Sequence, residues 1–269
     1  MTRARRGGIV AALLTALCAP ALAHDTWFSP ARMAAPRGNA AVELSTGNRY
    51  PVQEFNPTAS SLVRSGCTDG TAQELALRPG GDQPKWLPMA ARAKSPQQPV
   101  LACWAELKPF ELVMEPAKVE VYFKEIRANA QHREAWAGMQ SRQLPWRESY
   151  RKFARIELPA PAGAALAAAR KPIGMDLELV VVGDERIAAG QPLVFQLLRD
   201  GQPLADFPLE LVSERNALGI WRQTDSEGRV RHTLPFGGRW LLRGTDLRLS
   251  PQDPDRWESR FVTLAFEAP

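Results

Sequence analysis

The sequence lacks the motifs that mark most hydrolases and nucleotide-binding enzymes. It contains no G-x-S-x-G, no G-x-x-x-x-G-K-[ST], no G-x-G-x-x-G and no H-E-x-x-H. A serine triad would have to use one of only three histidines, and no nucleophile is marked. Paired carboxylates of the glycosidase type have no sequence signature, because their pairing is spatial. We therefore predict a protein that is not an enzyme.

The composition is that of an ordinary globular protein. Of the 269 residues, 45% are hydrophobic and 23% are charged, which excludes a disordered, collagen-like or polytopic membrane protein. Glycine is scarcer than proline, 19 residues against 23. This balance favours strand ends and turns over long helices.

Residues 1–23 have the pattern of a secretory signal peptide. A positive region with Arg3, Arg5 and Arg6 precedes an apolar run over residues 9–17, and Ala21-Leu22-Ala23 is a small-x-small cleavage site. The run is too short to span a bilayer. Without these arginines the formal charge falls from +5 to about +2, which does not support a nucleic-acid partner. We expect a periplasmic protein that begins at residue 24 and has no transmembrane segment.

Cysteine usage agrees with export. Cys18 leaves with the signal peptide, so Cys67 and Cys103 remain as an even pair. In an oxidising compartment such a pair predicts one disulfide, whereas no further Cys or His lies at metal-ligand spacing from either residue. Closing a loop of about 36 residues would stabilise the fold by about 4 kcal/mol in the chain-entropy model.

The second half of the chain is predicted to be a small β-sandwich. Residues 159–172 are small and Pro-flanked, as in a linker, although the alanine run could form a short helix. About seven short strands with polar turns follow over residues 173–269, in an immunoglobulin-like or transthyretin-like pattern. No Cys–Trp–Cys pattern of a true immunoglobulin domain is present there.

Residues 24–158 are predicted to form a first β-rich domain that contains the disulfide. Strands are expected over 40–45 and 147–158. One helix begins near Pro116, because apolar residues then recur at helical spacing, and Trp136 and Met139 extend it or belong to a second one. The predicted fold class is mainly all-β: two β-sandwich domains, with one or two short helices inserted in the first.

His24 is the candidate metal ligand. Cleavage after Ala23 would make it the first residue, and an α-amine and an imidazole, with ordinary pKa values near 8 and 6.5, can chelate one metal ion. Nitrogen ligands of this kind suit Cu(II), Ni(II) and Co(II). Asp25 could add an oxygen ligand or orient the ring. The alternative is that His24 is merely a frayed first residue before Trp27 docks.

Two further histidines are candidate ligands only if the fold brings them to His24. His132 lies in a polar stretch on or after a helix, where a solvated position is favoured. His232 alternates with Val230 and Leu234, so a hydrogen-bonded core position is favoured. If either histidine reaches His24, three nitrogen ligands would form a brace of the kind that copper monooxygenases use.

Aromatic residues offer two other interpretations. The eight tryptophans predict core and inter-domain packing, with a carbohydrate-binding face as the alternative. Trp146, Glu148, Tyr150 and Lys152 alternate on one side of a predicted strand. This row could line a groove or form a solvated face.

Several short motifs carry a family resemblance. The sequence resembles a family of bacterial periplasmic proteins of unknown function that are often described as nickel- or cobalt-uptake (cobalt ABC transporter) periplasmic components. The matching segments are, in chain order, 24–30 (HDTWFSP), 148–154 (ESYRKFA), 201–204 (GQPL), 224–228 (TDSEG), 238–243 (GRWLLR) and 257–259 (WES). The resemblance implies a periplasmic two-part β-sandwich that handles a transition metal and has His24 as a ligand.

The sequence thus predicts a metal-binding accessory or binding protein for nickel, cobalt or copper, with His24, Asp25, His132 and His232 as candidate ligands. A metal-uptake membrane transporter is the expected partner. Two alternatives stay open: a non-enzymatic envelope interaction module, and a copper-dependent oxidative enzyme with a histidine brace.

Overall fold

A computed structural model describes residues 24–71 and 73–269, so the predicted signal peptide lies outside the described residues. The first half contains, in chain order, β1 (Asp25–Pro30), β2 (Ala40–Gly47), a 3₁₀ turn (Ala59–Ser61), β3 (Leu62–Thr68), β4 (Leu75–Ala76), β5 (Arg78–Pro79), β6 (Leu87–Ala91), β7 (Ala102–Leu107), β8 (Phe110–Met114), α1 (Pro116–Glu125), α2 (Ala130–Ser141) and β9 (Trp146–Glu157).

The remainder also consists mainly of strands. It contains α3 (Ala164–Ala169), β10 (Leu177–Val182), β11 (Pro192–Arg199), β12 (Gln202–Pro203), β13 (Pro208–Ser213), β14 (Asn216–Gln223), β15 (Arg229–Thr233), β16 (Gly238–Leu249) and β17 (Trp257–Ala268). The mainly β fold class with short helices is therefore confirmed.

The strands form three sheets. The N-terminal sheet has the order β1-β2-β6-β5, and the C-terminal sheet has the order β10-β11-β12 with β15 paired to β11. Between them lies a nine-stranded central sheet, β14-β13-β16-β17-β9-β7-β3-β4, with β8 also paired to β9. Strands from both sides of residues 159–172 meet in it, because β9 and β17 pair in parallel. The segment 159–172 itself contains α3.

The central sheet is covered on both faces, as the two-residue alternation of a strand requires. Cys103 and Ala154 face the N-terminal sheet in one core, while Trp104 and Phe153 face the C-terminal sheet in a second core. A third core lies between the helices and the ends of β9, β16 and β17. The arrangement is a β-sandwich of three layers, with the helices beside the N-terminal sheet.

The disulfide prediction is confirmed. Cys67 on β3 pairs with Cys103 on β7 at directly opposed positions, and both residues are fully buried. The bond therefore joins neighbouring strands of the central sheet inside the core that faces the N-terminal sheet.

The helical region consists of two helices, separated by a backbone turn. Pro116 occupies the first turn of α1, and Val119, Tyr122 and Phe123 are its buried residues. Arg127 then adopts φ of 52°, which ends the first helix. Trp136 and Met139 consequently belong to a second helix, α2, whose buried face they form.

Candidate functional site

The start of β1 is fixed in place by the central sheet. The hydroxyl of Thr263 on β17 donates to the Thr26 carbonyl oxygen over 2.6 Å, and the Thr26 and Thr46 hydroxyls are 2.7 Å apart. Every residue from Asp25 to Ser29 is buried. A chain that begins at residue 24 would therefore begin on a rigid element.

Asp25 is held by a partly buried arginine. Its Oδ2 accepts from Arg243 Nη1, and Arg243 also donates to Glu210 Oε2 from Nε at 2.8 Å and from Nη2 at 2.6 Å. Burial would lower the pKa of Arg243, but Asp25 and Glu210 raise it overall, so the guanidinium stays charged. The Asp25 carboxylate therefore anchors β1 to β16.

His24 lies immediately before this anchored strand, in a partly enclosed position. Its side chain is 22% exposed, and its Nε2 atom is 4.0 Å from Glu54 Oε2. The imidazole also meets the Phe55 ring edge-on, with 5.1 Å between centroids. These contacts hold the imidazole of His24 against the segment that follows β2.

Glu54 is itself oriented by a neighbouring asparagine. Its Oε2 atom accepts from the Asn48 backbone N at 3.2 Å and from Asn48 Nδ2 at 2.8 Å. Both residues belong to the segment that follows β2 and folds back over the start of β1, where Thr46 bridges Phe55. No sequence motif marks Glu54, since it reaches His24 only through this fold-back.

The geometry leaves one chelating mode to an N-terminal His24. A metal held by the α-amine can close a six-membered ring only through Nδ1, while Nε2 is directed at Glu54. Metal-binding histidines commonly present their second ring nitrogen to a carboxylate, which fixes the ring orientation and strengthens the other nitrogen as a donor. Glu54 lies on that side of the ring, with its Oε2 atom 4.0 Å from Nε2, which is longer than a hydrogen bond.

His132 has a structural role at the start of α2. The backbone N of His132 donates to the Asn129 side chain at 3.0 Å, and the Asn129 backbone N donates to His132 Nδ1 at 3.3 Å. The ring packs against Trp257. Burial lowers its pKa, which a hydrogen bond to the Leu247 backbone and the charge of Asp246 oppose. His132 therefore caps the start of α2 and is partly buried, whereas the sequence favoured a solvated position.

His232 lies on β15 of the C-terminal sheet, opposite Leu193. Its Nδ1 atom is 3.3 Å from Arg222 Nη2. Burial and the Arg222 charge both lower its pKa. Among residues 24–71 and 73–269, no three His, Cys, Asp or Glu side chains are grouped to hold a metal ion. The three histidines lie at different elements, each beside its own partner: Glu54, Asn129 and Arg222.

In the alternating row on β9, Trp146, Glu148 and Lys152 are buried and Tyr150 is half-buried, so the row is not a solvated face. Trp146 stacks on Trp257 at 4.7 Å, and Glu148 is 1% exposed. Glu148 accepts from the Tyr122 hydroxyl at 3.1 Å, from Trp146 Nε1 at 2.8 Å and from the Ser259 hydroxyl. Burial raises the pKa of Glu148, while these three donors lower it. Helix α1 and strand β17 cover the row.

Lys152 is the least compensated charge of this row. It forms no ion pair with a described carboxylate, and its Nζ lies 5.4 Å from the Tyr150 ring centroid and 6.0 Å from that of Phe261. Burial lowers the pKa of Lys152 to about 8, although the charge of Asp25 acts to raise it.

Replacing Lys152 with methionine is expected to stabilise the protein at pH 7. A pKa lowered from 10.5 to about 8 corresponds to about 3 kcal/mol, from which the lost cation–π contacts subtract about 1 kcal/mol. The unfolded chain binds more protons between pH 8 and 10.5, so wild-type stability rises with pH there. Urea unfolding should therefore show Lys152→Met about 2 kcal/mol more stable at pH 7, with the difference shrinking above pH 8.

The exposed Lys171 supplies the control, since Lys171→Met should change neither value by more than about 0.5 kcal/mol. A Lys152→Met protein that is less stable than wild type at pH 7 would show that the buried ammonium is well compensated.

Comparisons with known proteins support a family and assign no activity. A family model described as a domain of unknown function (DUF4198) matches residues 21–245. That description names neither a metal nor a transport function. No curated protein matches the chain. No helix in the described part of the chain is long and apolar enough to cross a membrane.

Proposed function

We propose that the protein binds a divalent transition-metal ion at its processed N-terminus. The chain belongs to the domain family of unknown function DUF4198, so the proposal is argued from its own residues. The ligands are the α-amine of residue 24 and Nδ1 of His24. The observation that carries the proposal is the 4.0 Å approach of His24 Nε2 to Glu54 Oε2 at the head of an anchored strand.

The donor set fits the metals proposed. An amine and an imidazole nitrogen are the ligand types that nickel, cobalt and copper favour. Pre-organisation adds to the fit, because Asp25 and Thr26 hold the backbone next to the amine. Two nitrogen ligands leave coordination positions available to water or to a second protein, which suits a carrier that releases its ion.

Asp25, His132 and His232 are not part of this proposed site. The carboxylate of Asp25 is engaged by Arg243, His132 caps α2, and His232 lies beside Arg222 on another sheet. The proposal therefore favours a carrier over an oxidative enzyme. It also places the protein in the periplasm, where signal-peptide cleavage would free the amine and a metal-uptake transporter in the membrane would receive the ion.

Removing the orienting carboxylate tests the proposal. Glu54→Gln is expected to weaken Ni(II) or Cu(II) binding by about tenfold, the lower end of the effect of losing a carboxylate partner of a ligating histidine, because Glu54 lies beyond hydrogen-bond distance of Nε2. Affinity should rise with pH from about 6 to 8 in both proteins, because amine and imidazole must lose protons to bind. Calorimetric titration of the protein that begins at His24 measures both effects.

The exposed Glu134 supplies a matched control, and Glu134→Gln should bind metal like wild type. If wild type binds none of the three metals, or if Glu54→Gln binds as tightly as wild type, the role of this site is refuted, and an envelope interaction module becomes the better account.

A further inference from the structure

The outer face of the N-terminal sheet carries a groove that the proposed metal site does not use. The strand register places Ala41 opposite Ala90 and Glu43 opposite Pro88, while Arg78 on β5 also opposes Ala90. The alternate residues of these strands, including Val42 and Met89, are buried in the core beneath. The outward row is therefore short and mostly apolar, and it is flanked by charge.

Loops on both sides deepen this face into a groove of about 1080 Å³. The β1–β2 loop contributes Ala31, Arg32 and Met33, and the β5–β6 loop contributes Gln83 and Trp86. Apart from Glu43, its floor consists of small or apolar residues of the sheet, so the groove can accept an apolar body. The volume is that of a site for a small organic molecule.

One wall of the groove is formed by charged side chains that are already paired with each other. The Arg32 guanidinium lies 3.7 Å from the centroid of the Trp86 ring, and it is bonded to Glu43 at 3.3 Å and to Gln53 at 2.7 Å. Glu43, which is 5% exposed, also accepts from Gln53 Nε2 at 3.0 Å. This wall fixes the shape of the groove and has little charge left to offer a ligand.

The other arginines of the groove are uncompensated. Arg78 and Arg92 are exposed, line the same space, and form no ion pair with any residue of the described ranges. The groove therefore combines a mostly apolar floor with two positive side chains that form no ion pair within residues 24–71 and 73–269. Guanidinium groups bind planar or tetrahedral anions through paired N–H donors.

We propose that this groove binds a small amphipathic organic anion, whose apolar body lies on the sheet and whose carboxylate or sulfonate meets Arg78 and Arg92. Charge complementarity favours this occupant over a neutral apolar ligand, because such a ligand would form no ion pair with the arginines. It also selects against a cation, which the two arginines would repel. His24 and Glu54 do not line this groove.

Binding of 1-anilinonaphthalene-8-sulfonate, an aromatic sulfonate that fluoresces in apolar sites, tests the proposal. Titration of the folded wild-type protein should give saturable binding of one probe per chain. Arg78→Gln combined with Arg92→Gln should weaken this binding at least tenfold, and 0.5 M NaCl should weaken wild-type binding in the same direction. Ala90→Trp, which fills the floor, should abolish it.

Two controls separate charge from general stickiness. The neutral apolar dye Nile red should bind wild type and the double arginine variant equally. Arg222→Gln, in an arginine-lined cleft beside α2, should bind the sulfonate like wild type. Unsaturable binding, an unchanged affinity in the double arginine variant, or equal loss in Arg222→Gln would each overturn the proposal. Metal titration of the double arginine variant should match wild type, whatever the outcome at His24.

Discussion

Replacing Asp25 with asparagine is expected to lower the free energy of unfolding by about 3 kcal/mol, the lower part of the range for removing one partner of a buried ion pair. Asp25 is 7% exposed at its side chain and is bonded to Arg243, whose one other carboxylate partner in the described part of the chain is Glu210. The isosteric amide keeps the packing and removes the charge. Arg243 would then remain largely buried with half of its compensation. Urea unfolding at pH 7 measures the loss.

An exposed ion pair provides the comparison for this prediction. Asp253 pairs with Arg147 at 3.1 Å, and both side chains are well exposed. Asp253→Asn should cost less than about 1 kcal/mol, because solvent screens such pairs. An equal effect of the two substitutions would contradict the anchoring of β1 by Asp25.

Loss of the disulfide is expected to have the second large effect on stability. The bond closes a loop with a sequence separation of 36 between strands that are already adjacent. In the chain-entropy model its absence makes the unfolded state more favourable by about 4 kcal/mol. Cys67→Ala combined with Cys103→Ala removes the bond. Alanine is preferred to serine because both positions are fully buried, where a polar hydroxyl is unfavourable.

Reduction of the wild-type protein gives an independent measurement of the same quantity. Wild type in excess dithiothreitol should unfold at a lower urea concentration than oxidised wild type and close to the double alanine variant. If reduction leaves the unfolding midpoint unchanged, the disulfide either does not form in the exported protein or does not constrain its unfolded state.

The alternation of apolar and polar residues predicted most strands, because alternate residues of a strand point into the core. The strands predicted over residues 40–45 and 147–158 are present as β2 and β9, and the series of strands predicted over residues 173–269 is present as β10 to β17. Strands β16 and β17 are longer than the short strands expected there. They include buried polar side chains, such as Asp246 and Ser259, which an apolar pattern cannot mark.

The pairing of strands that are distant in sequence could not be predicted from local patterns. The parallel contact between β9 and β17 joins segments from either side of residues 159–172, and neither strand carries a feature that names its partner. The division at those residues into two domains stays a prediction. The helix within the segment agrees with the weaker interpretation of its alanine run.

The candidate site was predictable in one residue and not in its surroundings. His24 is marked by the cleavage pattern, whereas Glu54 and Asn48 reach it through a fold-back that no periodicity encodes. The face shared by Trp146, Glu148 and Lys152 was correctly predicted from alternation. Its burial could not be, because the covering residues come from α1 and β17.

Metal titration of two proteins that differ at the N-terminus tests the central claim most directly. One begins at His24 after export, as verified by mass spectrometry, and the other carries a single extra alanine before His24. The amine–imidazole chelate predicts tight binding of nickel, cobalt or copper to the first protein and a loss of at least 100-fold in affinity in the second. Equal affinities in the two proteins, or no binding to either, would contradict the account.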